Sequence, residues 1–186
     1  MKNYSPKKIW KQYKEFKYFK KKKQDLDKMD DFVFNLLKTH LEERQIHYKV
    51  RHPDDLIEWS TRFDDQRNGL IFYYKEGTEY VLDSYCYELK EGDEPIDYVR
   101  FSNVFNSLLF RGNLHYNSSS NVLRFKQTIS MREIFWEPDL LNYYMLRHYS
   151  TASDISKCAH DMHQSGKDPF DVVADFMNSK EGEKAN

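Results

Sequence analysis

The sequence predicts an α+β fold in which an antiparallel sheet, made of a three-strand meander and a hairpin, packs with helices. Three observations predict it: short strand-like runs joined by turns, an amphipathic helix directly after them, and a further pair of alternating strands after that helix. The expected order is α-β-β-β-α-β-β-α, with an extra N-terminal basic helix. At 186 residues the chain suits a single domain with helical extensions.

Two helices are expected before the sheet. Residues 1–24 form a predicted basic aromatic helix, with ten Lys and one Glu, and this segment contributes +9 to a chain whose net charge is −1. The rest of the chain therefore carries −10. A second helix is expected over 25–43, where apolar residues follow helical spacing and aspartates enrich the start. It opens the single α+β domain that we predict over 25–177.

The meander is predicted over residues 56–63, 70–75 and 79–89, with turn-forming residues between the runs. Strict alternation in the third strand places Tyr85 and Tyr87 on the same face. Apolar residues occur on both faces of that strand. We therefore expect helices to cover one face, and a further helix, subunit or ligand to cover part of the other.

The second half of the chain predicts a helix, a hairpin and two more helices. Pro95 suits a first helical turn, and Gly112 ends the amphipathic pattern that follows it. The hairpin begins near Leu114 and returns over 122–129. A long helix is then expected up to Gly166, followed by a short one over 169–177 and a disordered tail over 178–186.

Composition and cysteine content narrow the class of protein. Aromatic residues make up 16% of the chain, which is too many for a wholly disordered protein. The presence of only two cysteines argues against a disulfide-stapled secreted scaffold, and the sequence contains neither a signal-like N-terminus nor a membrane-spanning run. We therefore expect a cytoplasmic protein.

The passage from helix to strand over 104–116, with an Asn in the helix shortly before the strand, and the return strand 122–125 resemble the YbjN family and the structurally related type III secretion chaperones. The resemblance extends over residues 30–166. It implies a non-enzymatic module that forms a homodimer or binds another polypeptide through exposed strand edges and apolar patches. It supplies no catalytic residues.

Candidate partner-binding residues follow from the predicted strands and the central helix. Alternating aromatic side chains offer rigid contact area at low entropic cost, although packing beneath helices is an equally open interpretation of the tyrosines. The predicted residues are Tyr73, Tyr85, Tyr87, Val104, Phe105 and Leu108.

The lysine-rich segment 1–24 supports a second hypothesis, in which the protein is a peripheral adaptor for anionic membrane or nucleic acid. The absence of Arg from this segment weakens the nucleic-acid version. A third interpretation is a helix that lies across the acidic body with its rings on apolar surface. The candidate anionic-surface residues are Trp10, Lys14, Lys17 and Lys21.

Residues of the types that bind metals or catalyse reactions cluster near the end of the long helix. His160 and His163 share a helix face and are candidate metal ligands, but Cys158 is offset from them and no further ligands follow. The chain has no phosphate-binding glycine motif. We therefore expect no enzyme activity, no cofactor, no metal and no small-molecule substrate.

Overall fold

The computed structural model describes residues 25–51, 56–63, 68–76 and 79–184, and the side chains of residues 28–180 within those ranges. The predicted basic helix 1–24 lies outside the described residues. Helix α1 (Asp25–Glu43) leads into strands β1 (Tyr48–Arg51), β2 (Leu56–Arg62), β3 (Asn68–Glu76) and β4 (Glu79–Glu88). The remaining elements are α2 (Pro95–Asn106), β5 (Asn113–Asn117), β6 (Val122–Ser130), α3 (Met131–Trp136), α4 (Asp139–Ser165) and α5 (Pro169–Lys184).

The α+β class and the order of helices and strands are confirmed. The structure adds a short first strand, β1, and a short helix, α3, to the predicted elements. Helix α5 continues to Lys184, into the stretch predicted as a disordered tail. Gly166 ends α4 in the left-handed conformation with φ +63°, as the sequence predicts for a helix-terminating glycine.

The strands form one antiparallel sheet in the order β1-β2-β3-β4-β6-β5. A register shift between Tyr85 and Tyr87 interrupts the pairing of β4 with β6. This bulge inserts Cys86 as an extra residue, so Tyr85 and Tyr87 lie on opposite faces of the sheet. The expected common face for these two tyrosines was wrong, because alternation along a strand holds only where the pairing is regular.

The described helices pack on one face of the sheet, here called the inner face. Two groups of buried side chains fill the space between them. The first joins α1, α3 and the start of α4 to the inner face of β2, β3, β4 and β6, through residues including Val33, Leu37, Ile57, Tyr80 and Ile134. The second joins α2, α4 and α5 to the inner face of β4, β5 and β6, through residues including Phe101, Leu123, Ile155 and Val173.

One titratable side chain in this core lies where α4 crosses the sheet. His148 on α4 is fully buried against β4 and β6, with its Nε2 atom 2.7 Å from the Ser84 hydroxyl and its ring stacked on Phe125 at a centroid distance of 4.8 Å. Its Nδ1 atom has no hydrogen-bond partner among the described residues. Burial lowers the pKa of His148 from 6.5 to about 3, so the ring is neutral at physiological pH.

The edge strand β5 is partly closed by a side chain from α2. The Leu114 N–H donates to Asn106 Oδ1 at 2.7 Å, and Asn106 Nδ2 donates to the Leu114 carbonyl at 2.8 Å. One amide side chain thus makes the two hydrogen bonds that a neighbouring strand would make at this residue. Asn106 is the helix Asn in the passage that resembles the YbjN family, and the structure gives it this physical role.

No helix within the described part of the chain has the length and apolar character required to cross a membrane.

Candidate partner-binding site

A surface groove of about 390 Å³ lies between the loop after α2 and the first half of α4. The loop supplies Leu108, Leu109, Phe110 and Arg111. Helix α4 supplies the opposite wall, and Phe125 and Gln127 of β6 line the groove as well. The residues from α4 are Leu140, Tyr143, Tyr144, Arg147 and Thr151. We call this feature the α2–α4 groove.

The loop that forms one wall is held by short-range hydrogen bonds. The backbone N–H groups of Ser107, Leu108 and Leu109 each donate to the carbonyl three residues earlier, at 3.0 to 3.2 Å. Gly112 then turns the chain with φ +96°, and a Cβ at this position would lie 2.6 Å from the Phe125 ring. Because only glycine fits there, the end of the loop can lie directly against Phe125 and the backbone of β6.

Large apolar side chains at the groove and beside it remain in contact with solvent. Phe110 is 91% exposed, Tyr143 55% and Leu108 40%, and the neighbouring Leu146 is 51% exposed. Isolated exposed apolar residues are ordinary on protein surfaces, whereas a group of them beside a concavity is typical of an interaction site. The groove is therefore a candidate site for binding another chain.

Arg111 and Tyr144 fix the polar part of the groove. Arg111 NH1 donates to the Tyr144 hydroxyl at 2.6 Å, and that hydroxyl donates to Glu133 Oε2 at 2.5 Å. The hydrogen bond that Arg111 donates to Tyr144 raises the pKa of Arg111. Burial, followed by the hydrogen bond to Glu133, raises the pKa of Tyr144. The described lining residues include two cations, and one of them, Arg111, lies 3.9 Å from the Glu133 carboxylate. The exposed Arg147 is therefore the lining cation that favours a partner with negative charge.

The predicted partner-binding residues do not form one surface. Tyr73, Tyr87 and Phe105 are buried in the core at 0%, 8% and 3% exposure, so their side chains are not accessible on the surface of this fold. Val104 is partly buried against the same core. Only Leu108 lines the groove, and Tyr85 lies on the opposite face of the sheet. Amphipathic spacing locates core residues well, but it does not separate them from binding residues.

The candidate anionic-surface residues Trp10, Lys14, Lys17 and Lys21 lie outside the described residues. The sequence interpretation missed Phe110, Tyr143 and Arg147, which form much of the groove. A signal existed for Phe110, because a large apolar residue in a turn just before a glycine has no helix or strand face to bury it. Tyr143 and Arg147 lie one helical turn apart on α4 and offered no such signal.

The outer face of the sheet, which points away from the described helices, carries a buried carboxylate. Asp83 of β4 is fully buried, and it accepts hydrogen bonds from Arg124 and from the Tyr74 hydroxyl. Lys126 Nζ lies 3.8 Å from it. The Arg124 guanidinium also stacks over the Tyr85 ring at 4.9 Å. These two cations are therefore already engaged by the protein's own groups.

His163, one of the candidate metal ligands, is bonded to the protein's own side chains. His163 Nδ1 lies 2.8 Å from Asp93, which also accepts from the Tyr98 and Tyr87 hydroxyls and the Lys90 N–H. Burial alone would raise the pKa of Asp93, but these hydrogen bonds outweigh it and lower that pKa. Cys158 is buried. Within the described ranges, no group of three or more His, Cys, Asp or Glu side chains is arranged to hold a metal ion.

The comparisons with known proteins identify the fold. YbjN of E. coli, which has been proposed to be a transcription regulator, aligns with 70% of this chain and 92% of its own, with a TM-score of 0.52 and 9% sequence identity. The fold is YbjN-like. The chain matches no protein-family model and no curated protein. The resemblance carried by residues 104–116 and 122–125 is thus confirmed for the fold, and an identity of 9% shows the fold alone.

Proposed function

We propose that this YbjN-like protein is a non-enzymatic, chaperone-like or regulatory interaction module that binds a segment of another polypeptide in the α2–α4 groove. The observation that carries the proposal is the 91% exposure of Phe110 on a tightly bonded loop beside a concavity. Because the loop backbone before Phe110 is already hydrogen-bonded, binding there would cost little backbone entropy, and burial of the Phe110 ring would contribute to affinity.

The chemistry of the groove supports a particular class of proposed partner. Phe110, Tyr143 and Leu108 offer apolar contact, and Arg147 offers positive charge near them. A segment that combines apolar side chains with Asp or Glu would satisfy both features. The proposal places the protein in the cytoplasm, in keeping with two cysteines that are both buried thiols.

Selection of peptides on the full-length protein tests the proposal and defines the chemistry of the partner in the same experiment. A displayed library of random 16-residue peptides is selected on the unchanged protein and then on Phe110→Ser. Burying one Phe is worth roughly 1.5 to 3 kcal/mol, so we expect the selected peptides to lose about tenfold to a hundredfold in affinity for the variant. The enriched sequences should combine apolar and acidic residues.

Phe170→Ser is the matched control, because Phe170 is 57% exposed but lies on α5 rather than in the groove. Peptides that bind the groove should bind this control as tightly as the unchanged protein. Selection that yields no peptide sensitive to Phe110 would contradict the proposal. Sedimentation of the same variants checks the homodimer alternative, since a dimer that dissociates with Phe110→Ser would assign the groove to a second copy of the chain.

A further inference from the structure

The outer face of the sheet carries a group of apolar side chains around the buried Asp83, although the described helices all lie on the other side. Five apolar or aromatic side chains from β3 and β4 point outward and are neighbours across the strand pairs. A sheet face that contacts water ordinarily alternates to polar residues. The outward residues are Leu70, Phe72, Tyr74, Val81 and Tyr85.

The exposure of these side chains differs from that of the apolar residues elsewhere on the surface. Val81 is only 1% exposed, and the other four are half-buried, whereas Phe110 and Phe170 are 91% and 57% exposed. The rings also contact one another, since the Phe72 and Tyr85 centroids are 4.9 Å apart. This face therefore has the composition of a surface made to be covered by another element.

The described chain begins on the inner side of the sheet, at the end of the β3–β4 hairpin. Asp30 of α1 contacts the Lys75 ammonium and the Tyr80 hydroxyl, which fixes the start of α1 at the end of the β3–β4 hairpin. Two carboxylates, Glu76 and Glu79, pair across the strands at that same end. A chain that continues upstream from Asp25 needs only to pass this end of the hairpin to reach the outer face.

We propose that residues 1–24 of the same chain bind across the outer face. This segment has apolar and aromatic residues at helical spacing, which would give the apolar outer face a partner to pack against. They are Ile9, Trp10, Tyr13, Phe16 and Phe19. The run of lysines at 20–23 directly precedes α1, where Glu76 and Glu79 complement its charge. The arrangement also explains why so basic a segment adjoins a body that carries −10.

The width of the sheet agrees with the length that residues 6–24 would have as a helix. Six strands spaced by roughly 4.8 Å give a sheet about 24 Å wide from the first strand to the last. Nineteen residues at helical rise extend about 28 Å, so a helical segment from Pro6 to Gln24 would cross the face once. A bound segment would have its rings on the sheet, and the same rings would then be inaccessible to a lipid bilayer or to nucleic acid.

Photo-cross-linking in the full-length protein tests the proposal. p-Benzoylphenylalanine replaces Tyr85 on the outer face in one sample and Tyr143 in the α2–α4 groove in a control sample, and cross-linked peptides are identified by mass spectrometry. We expect position 85 to cross-link within one chain to peptides from residues 1–24, and position 143 not to do so. Cross-links from position 85 that join two chains, or that miss residues 1–24, would overturn the proposal.

Hydroxyl-radical footprinting gives an independent measurement on a variant that keeps every lysine. In Trp10→Ser combined with Phe16→Ser, we expect oxidation of Phe72 and Tyr85 to rise severalfold and oxidation of Tyr143 to stay unchanged. Unchanged oxidation of Phe72 and Tyr85 would refute the inference. So would strong oxidation of these rings in the unchanged protein that falls only when phosphatidylglycerol vesicles are added.

Discussion

Acidification should destabilise this protein through His148. The ring is fully buried between α4 and the sheet, where its polar contact is the Ser84 hydroxyl at 2.7 Å. Among the described residues no carboxylate bonds to the ring, and its Nδ1 atom has no partner. A proton placed on this ring would create a buried charge without a counter-charge, which is why burial lowers the pKa of His148 to about 3.

The size of the effect follows from the pKa values of the folded and unfolded chains. The unfolded chain takes up a proton on His148 near pH 6.5, whereas the folded chain does so only near pH 3. The contribution of neutral His148 to the free energy of unfolding is therefore fully present above pH 6.5. It is lost progressively as the pH falls from 6.5 towards 3. Between pH 7.5 and pH 5 this one residue should lower the free energy of unfolding by about 2 kcal/mol.

Chemical denaturation of the unchanged protein and of His148→Gln at the two pH values isolates this contribution. Gln does not titrate and can still bond to Ser84, while every other ionisable group is common to both proteins. We expect the unchanged protein to lose about 2 kcal/mol more than the variant between pH 7.5 and pH 5. An equal pH dependence in the two proteins would show that His148 is not held neutral by burial, and the reasoning would fail.

Three further outcomes are expected. Asn106→Ala removes two hydrogen bonds to β5, each worth about 1 kcal/mol, so the free energy of unfolding should fall by about 2 kcal/mol. Hydrogen exchange at the Leu114 amide should become faster, and an unchanged exchange rate would contradict the role assigned to Asn106. Gly112→Ala should destabilise by about 1 to 3 kcal/mol in denaturant titrations, because of its positive φ and the ring beneath it. Burial raises the pKa of the Cys86 thiol well above its ordinary value, so Cys86 and Cys158 should react with a thiol reagent only as fast as the protein opens; rapid labelling would show that they are accessible.

The sequence predicted most of the fold because its periodic segments are long and their ends are marked. Pro95 begins α2 and Gly166 ends α4, as their chemistry requires. Strand β1 has only four residues, which is too short for alternation to distinguish it from a loop. The bulge at Cys86 is likewise invisible to a period-two pattern, and it moved Tyr87 into the core.

The candidate site was less predictable, because exposure depends on tertiary packing. Tyr73 and Phe105 fitted an apolar face, and the structure uses that face for the core. Phe110 lies exposed on a loop that ends at Gly112, which packs against Phe125 of β6, a contact between residues that are distant in the sequence. The groove also needs Arg147 from α4 to meet this loop, and helical spacing alone does not indicate which two elements will be neighbours.

The architecture favours the groove over the sheet edges as the proposed partner-binding site. At β5, the Asn106 side chain already bonds both backbone groups of Leu114, so an added strand would first have to displace it. At the other edge, β1 is only four residues long and carries Lys49 and Arg51, and charged residues on a short edge oppose strand pairing. Binding in the groove requires no displacement, because Phe110 already lies in solvent on a loop bonded to its own helix. A partner that reaches this protein should therefore be recognised first by side chains, and variants at Phe110 should affect its binding more than variants along either edge.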